Sequence, residues 1–340
     1  MRAGLPPIAD PDVCDVTASD DPVAAFLEAH RIGAMIALRT SGTTGTARSV
    51  VRTTQSWVSS FEAVTSLLGM SAASRLWVPG PLTSTMNLFA AVHAAALGAD
   101  RVESAAGATH AVLTPTQLGR LLAADTALPD VHLLVAGDRL GTALHGQAVR
   151  CGAQVSHYYG AAELSFVAWG SHAANLQPFV EVEISVREGV LWVRSPYVCQ
   201  GYVGVPGRLD VDGDGWASVG DRGELRDGIL RVAGRGTEVV TTAGATVVVC
   251  NVEETLRDHA AGAIHAVGVP HPALGQVLVA VLTGTDDLGP VRAASRARLA
   301  PSHRPRRWFH LPDLPVTPCG KVDREALARL VTDGAARRLG

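Results

Sequence analysis

Met35-Ile36-Ala37-Leu38 runs into Arg39-Thr40-Ser41-Gly42-Thr43-Thr44-Gly45-Thr46-Ala47-Arg48, an apolar run meeting a loop of hydroxyl residues and glycines with a cation at its end. The apolar part reads as a buried strand and the rest as the loop it delivers. Glycines let backbone N–H groups turn toward an anion, and the hydroxyls add donors. Arg48 then supplies positive charge for a polyphosphate. Gly42 and Gly45 stand too close for a Walker loop, and no Gly-Lys-Thr follows. On its own the stretch is equally well read as a polar surface turn.

Outward from the loop, short apolar runs alternate with helical patterns. Asp21-Pro22 opens a helix carrying Ala24, Phe26 and Leu27, with proline in its first turn. A second strand starts at Val50-Val51, and Thr53–Leu68 reads as one helix with Trp57, Phe61, Val64 and Leu68 on a face. Leu76-Trp77-Val78-Pro79, Ala111–Leu113 and Leu133–Val135 read as strands, and Met86–Leu97 as an alanine-rich helix. This is an α/β pattern with a largely parallel sheet, in which ligands sit at the carboxyl ends of strands. The loops beginning at Thr40, Gly137 and Tyr159 are expected there. After Phe179 the runs Val180–Val186, Val190–Val193 and Leu230–Val232 are set off by Gly and Asp turns, which suits a small antiparallel, β-barrel-like subdomain. Beyond Arg235 a second domain is expected, with strands at Ala245–Val249, Ala263–Val269 and Val277–Leu282 and a helix over Val252–His259.

Composition narrows the function classes. A chain of 340 residues, 47% hydrophobic and 18% charged, suits a two-domain globular enzyme. The net charge of −3 leaves no basic footprint for nucleic acid. Five scattered cysteines show neither CxxC nor zinc-ligand spacing and read as reduced thiols. The N-terminus lacks the apolar core of a secretory signal and no run is long enough to span a bilayer, so a cytoplasmic protein is expected. No His-Glu-x-x-His and no Gly-x-Ser-x-Gly elbow points to a hydrolase.

Four further stretches follow the loop in order: Tyr158-Tyr159-Gly160-Ala161-Ala162-Glu163; Gly215-Trp216-Ala217-Ser218-Val219-Gly220-Asp221; Gly234-Arg235; and Pro315-Val316-Thr317-Pro318-Cys319-Gly320-Lys321-Val322-Asp323-Arg324. In kind, order and spacing the set resembles the adenylate-forming superfamily of acyl-CoA synthetases, peptide-synthetase adenylation domains and luciferases. The resemblance runs from Arg39 onward. It implies an N-terminally shortened large α/β domain over residues 1–236, with the small β-barrel-like subdomain, and a small mobile α+β C-terminal domain over 237–340.

The implied reaction joins a carboxylate to the α-phosphorus of ATP, with Mg²⁺, and then moves the acyl group to coenzyme A. A carboxylate is already ionised at neutral pH, so the difficulty is an anion approaching a polyanion rather than a proton transfer. The resemblance gives Thr40, Ser41, Gly42, Thr43, Thr44, Gly45 and Arg48 to the phosphates, with Arg48 where lysine is usual. Glu163 would hold Mg²⁺. Tyr159 would stack on adenine, with Gly160, Ala161 and Ala162 alongside and Gly137 and Asp138 bordering the base. Asp221 would accept from the ribose hydroxyls, and Arg235 would contact ribose or phosphate. Lys321 would bridge carboxylate and α-phosphate as charge develops. Gly244 would leave room for the pantetheine arm. Ser84, Asn87, Leu88, His157, Leu164 and Phe166, with Ser165, would line an acyl pocket. Their small or apolar character favours an aliphatic or simple aryl acid.

Two departures shape the expectations. The family carries well over a hundred residues before its phosphate loop and this sequence about forty, which implies uncovered apolar surface and a homodimer. The usual hinge aspartate is Thr237, followed by Glu238, and Val249 and Asn251 replace a common proline and glutamate. The alternatives to a CoA ligase are an enzyme loading a free-standing carrier protein's thiol and a nucleotide-binding protein without turnover. The helix after Pro81 offers no acidic residue to meet an amino acid's ammonium.

Overall fold

The computed structural model describes residues 13–40, 48–124, 126–235, 239–242, 244–257, 259–317 and 322–340, without the side chains of Thr40, Arg235 and Val239. Its contacts divide the chain into two units, one running through Val232 and the other comprising Ala233–Thr317 and Val322–Gly340.

In the first unit, Asp21 caps the helix Pro22–Ile32 by accepting from the Val23 and Ala24 amides at 3.1 Å, and Gly33 ends it with φ 72°. A seven-stranded sheet forms the centre. In spatial order its strands are Gln177–Pro178, Ser165–Gly170, Gln154–Ala161, His132–Val135, His110–Leu113, Arg75–Trp77 and Asp100–Val102. The last five are mutually parallel and the first two add an antiparallel edge. The parallel strands are short apolar runs because helices cover both faces of such a sheet. The helix Thr85–Leu97 buries every residue from Asn87 to Ala94, which its alanines permit by letting backbones approach closely.

The strand that delivers the phosphate loop belongs elsewhere, which corrects its expected place among the parallel strands. Met35–Thr40 pairs antiparallel with Arg48–Thr53, in a four-stranded sheet ordered Val13–Asp15, Met35–Thr40, Arg48–Thr53, Gly201–Val203. The two strands that flank the stretch are therefore antiparallel neighbours. The expected helix over Thr53–Leu68 is broken into Gln55–Val58 and Phe61–Leu68. Ser60 Oγ donates to the Trp57 carbonyl at 2.7 Å and so competes for a helical acceptor at the break. Trp57, Val64 and Leu68 are still buried together, as read. The third sheet of this unit is six-stranded and antiparallel where pairing is assigned: Asp210–Val211, Ala217–Ser218, Val190–Arg194, Asp221–Arg226 and Ile229–Arg235 in order, with Glu183–Arg187 on Val190–Arg194.

The second unit is a six-stranded sheet with helices Val249–Arg257, Leu288–Arg298 and Arg324–Thr332. Its central hairpin, Ile264–His271 with Gly275–Leu282, pairs over eight residues. The first helix starts three residues earlier than read and takes in Val249 and Asn251. Glu253 on that helix is 2% exposed and accepts from Arg324 Nη1 and Nη2 at 2.6 and 2.8 Å and from the Ala266 amide at 2.7 Å. Among the described residues, no helix is long and apolar enough to cross a membrane.

Candidate active site

The strand Gln154–Ala161 and its antiparallel neighbour Ser165–Gly170 carry the Tyr-Gly-x-x-Glu stretch. Tyr159 was expected to open a loop; it lies inside the strand, opposite Ala168, and the register slips between Tyr159 and Gly160. Glycine is required at the slip, because a Cβ on Gly160 would run into the Ser165 carbonyl. Ser165 itself has φ 58°. This tight exchange closes the hairpin early and leaves Glu163 in the turn, half-buried, ahead of the buried Leu164.

Two of the expected nucleotide residues meet across 62 positions of sequence: Tyr159 Oη donates to Asp221 Oδ2 at 2.7 Å. Asp221 is 7% exposed and begins its strand directly after Gly220, whose φ is 78°. A buried carboxylate beside an aromatic ring is suited to accepting hydroxyl protons from a sugar whose base lies on that ring. Gly137, with φ 88°, follows the parallel strand His132–Val135 at its carboxyl end, as expected. Asp138 next to it is exposed and accepts from the Arg139 amide at 2.7 Å.

Glu163 has partners that its motif does not reveal. Its Oε1 accepts from Tyr202 Oη at 2.9 Å, and its carbonyl accepts from the Cys199 amide at 2.8 Å. Behind them lies Arg52, fully buried, donating from Nη2 to the Tyr197 carbonyl at 2.6 Å and packing over Trp57. Burial pulls its guanidinium down to about 10, opposed by the charges of Cys199 and Glu163. Burial likewise pushes the Cys199 thiol up to about 11. Neither Tyr202 nor Arg52 was legible as a site residue. The only local signal is the glycine-rich run Gly201-Tyr202-Val203-Gly204-Val205-Pro206-Gly207.

No group of three or more His, Cys, Asp or Glu that could hold a metal occurs among the described residues. Glu163 offers a single carboxylate, and no described residue donates a hydrogen bond to its Oε2. That donor set fits Mg²⁺ carried on nucleotide phosphates, which takes one or two carboxylates, and does not fit an all-protein cage.

The expected acyl-pocket residues divide. His157 is 3% exposed and donates from Nδ1 to the Val135 carbonyl at 2.7 Å, while burial pushes its pKa down to about 4, so it is neutral at pH 7. Asn87 donates to the Pro81 carbonyl at 3.0 Å, and Ser84 sits at the N-terminus of the same helix. Leu88, Leu164 and Phe166 are packed in the hydrophobic core. Phe166 meets Phe89, Tyr158 and Phe179 at centroid distances of 4.8, 4.6 and 5.1 Å.

Several expected residues lie outside the described residues: Ser41, Gly42, Thr43, Thr44, Gly45, Thr237, Glu238, Lys321 and the side chain of Arg235. Thr40 and Arg48 face each other in register at the base of the loop. In the second unit Gly244 is exposed with φ 80°, between two paired strands. The residues flanking the lysine segment pair as Val316 with Val322, and the Asp323 amide donates to the Pro315 carbonyl at 2.9 Å.

No family profile matches the chain. The 2-succinylbenzoate–CoA ligase of Salmonella typhimurium is 29% identical over 311 residues, 86% of this chain and 68% of that protein. Among solved structures, Escherichia coli MenE with bound OSB-AMS superimposes with a TM-score of 0.74 at 26% identity, covering 87% of this chain and 68% of MenE. Over most of its length the chain is similar to acyl-CoA ligases of the adenylate-forming superfamily. An uncharacterized acyl–CoA ligase of Bacillus subtilis, YhfT, is 26% identical over 329 residues, 85% of this chain and 67% of that one. A salicyl-AMP ligase of Mycobacterium tuberculosis is 35% identical over 153 residues, 42% of this chain and 27% of its own length. Like the solved structures it resembles, the chain has the mixed α/β large unit expected from its motifs.

Proposed function

We propose that this protein is an ATP-dependent carboxylate–CoA ligase, an acid–thiol ligase that works through an acyl-adenylate. A carboxylate oxygen of the acid bonds to the α-phosphorus and the bond to pyrophosphate breaks. The CoA thiolate then attacks the acyl carbon and AMP leaves. The observation that supports the reading most is the hydrogen bond from Tyr159 to Asp221, which joins two of the motifs across 62 positions, with Glu163 four residues beyond Tyr159 in the same stretch.

In this reading Asp221 accepts from the ribose hydroxyls and Tyr159 carries the base. Bound through Glu163 with the nucleotide, Mg²⁺ would offset phosphate charge. Lys321, assigned on its sequence frame, supplies the cation between carboxylate and α-phosphate. The loop from Thr40 to Arg48 takes the leaving phosphates, and Arg235 adds charge nearby. Domain 237–340 carries the lysine and reorients between the two half-reactions. Gly244 keeps the thiol's path open. Ser84, Asn87, His157 and the wall behind them admit a small aliphatic or aryl acid. A cytoplasmic homodimer completes the proposal. Seven large hydrophobic residues are exposed among those described, and Leu27 and Ile32 share one helix.

A second acceptor is favoured by one observation. The match to the salicyl-AMP ligase, named also as a salicyl-S-ArCP synthetase, makes a carrier-protein thiol the alternative to CoA. The test supplies an accepted acid, ATP and Mg²⁺ with CoA, with a pantetheinylated carrier, or with no thiol. Acyl-CoA is expected. Adenylate that ignores CoA but loads the carrier would replace CoA as the acceptor.

A further inference from the structure

Tyr202 stands where Glu163 needs a partner, and its surroundings are built to hold it there. The strand Gly201–Val203 pairs antiparallel with Arg48–Thr53, placing Tyr202 opposite Val50, two residues past the cation that ends the phosphate loop. Gly201, with φ 137°, provides a backbone turn that side chains rarely adopt. On the other side, the Tyr202 ring lies against the Cα of Gly207, in space that any Cβ would occupy. The ring is 3% exposed, and its hydroxyl reaches Glu163 Oε1 at 2.9 Å. The Cys199 amide fixes the backbone of Glu163 from the same segment.

Arg52 adds a second sign of purpose. A buried guanidinium costs several kcal/mol unless its donors are met. Among the described residues, its Nε and Nη1 have no hydrogen-bond partner. This charge lies within electrostatic reach of Glu163 and Cys199. Glu163 is thus held at one oxygen by a neutral hydroxyl, at its backbone by an amide, and backed by a cation, with Oε2 left to a ligand.

Resting on the ligase reading, we propose that Tyr202 is a positioning residue for the metal-bearing nucleotide: its hydroxyl orients Glu163 so that Oε2 meets the Mg²⁺ of MgATP. Outer partners of metal ligands act in this way because one hydrogen bond removes the rotation that would otherwise smear the ligand over several positions.

Calorimetric ATP binding, with Mg²⁺ and in EDTA, provides a readout apart from turnover. Tyr202→Phe removes only the hydroxyl. The Mg²⁺-dependent gain in ATP affinity should fall by about 10–100-fold, while affinity in EDTA stays within about twofold. In a Glu163→Gln background the same change should have no further effect on the Mg²⁺-dependent gain, since the two residues act as one unit. Undiminished Mg²⁺ dependence in Tyr202→Phe overturns the inference. So does an equal loss with and without Mg²⁺, or an effect that adds to that of Glu163→Gln. Should Tyr202→Phe melt at a lower temperature than wild type, binding is compared well below both melting temperatures, where each protein is folded, and is read the same way. A wild-type protein that binds MgATP but adenylates no acid overturns the ligase reading and leaves the role of Tyr202 in metal binding standing. One that binds no MgATP overturns both.

Discussion

Glu253→Gln tests how the second unit is held. Glu253 accepts three hydrogen bonds of 2.6–2.8 Å, two of them from Arg324, and Arg257 lies 3.7 Å away. Burial would raise its pKa, but the hydrogen bonds and charge of Arg324, then His265 and Arg257, outweigh it and hold the carboxyl below its ordinary value. The amide keeps an acceptor for the Ala266 N–H and turns away the charge that Arg324 needs. Removing one member of a buried pair costs about 3–5 kcal/mol. Native-state hydrogen exchange reads this by unit. Amides of Ile264–His271 and Gly275–Leu282 should exchange about 10²–10⁴ times faster, since every 1.4 kcal/mol is a factor of ten. Those of His110–Leu113 and His132–Val135, in the other unit, serve as the control and should be unchanged. The pair's contribution is present at neutral pH and fades as pH falls through the folded pKa of Glu253, so the variant and wild type should converge in acid. Unaltered protection in the second unit, or equal loss in both, would refute the reasoning.

Lys321→Ala should leave ATP binding within a few-fold and cut adenylate formation by about 10²–10³, as loss of a charge contact made in the transition state does; normal acid-dependent pyrophosphate release would remove the lysine from the mechanism. Tyr159→Phe deletes the hydrogen bond to Asp221 and should weaken ATP binding by roughly 1.5–3 kcal/mol, read by calorimetry, with the affinity for inorganic pyrophosphate unmoved. His93 and His157 are both pushed down to about 4 by burial, so each is neutral in the fold and protonates first in the unfolded chain. Stability is therefore full above the unfolded value near 6.5 and falls as pH drops toward the folded one, by about 2 kcal/mol per histidine at pH 5. His93→Gln should flatten the urea-midpoint profile between pH 6.5 and 4.

The sequence shows its regular structure where local and global signals agree. Asp21-Pro22 caps a helix, and the runs around Val112 and Leu134 can only be buried strands. It conceals structure where side chains compete with the backbone. Ser60 takes the Trp57 carbonyl and breaks a helix whose apolar face is otherwise continuous. Tyr159, Glu163 and Asp221 were legible through their order along the chain. Their geometry was not, because the slip at Gly160 depends on the Ser165 carbonyl of the next strand. Arg52 is fully buried, which nothing in its sequence neighbourhood shows. Tyr202 has no chemical signature of its own, and its role depends on a partner 39 residues earlier. The strand ending at Thr40 looked like a strand-to-loop junction of a parallel sheet, since a single strand does not show which sheet it joins.

The most direct test of the central claim is exchange of labelled pyrophosphate into ATP, run with a panel of aliphatic and aryl carboxylic acids. Exchange should depend on one class of acid and on Mg²⁺, fall to background in Lys321→Ala, and be drained by adding CoA as acyl-CoA forms. A protein that binds MgATP yet exchanges no pyrophosphate with any acid of the panel would contradict the account.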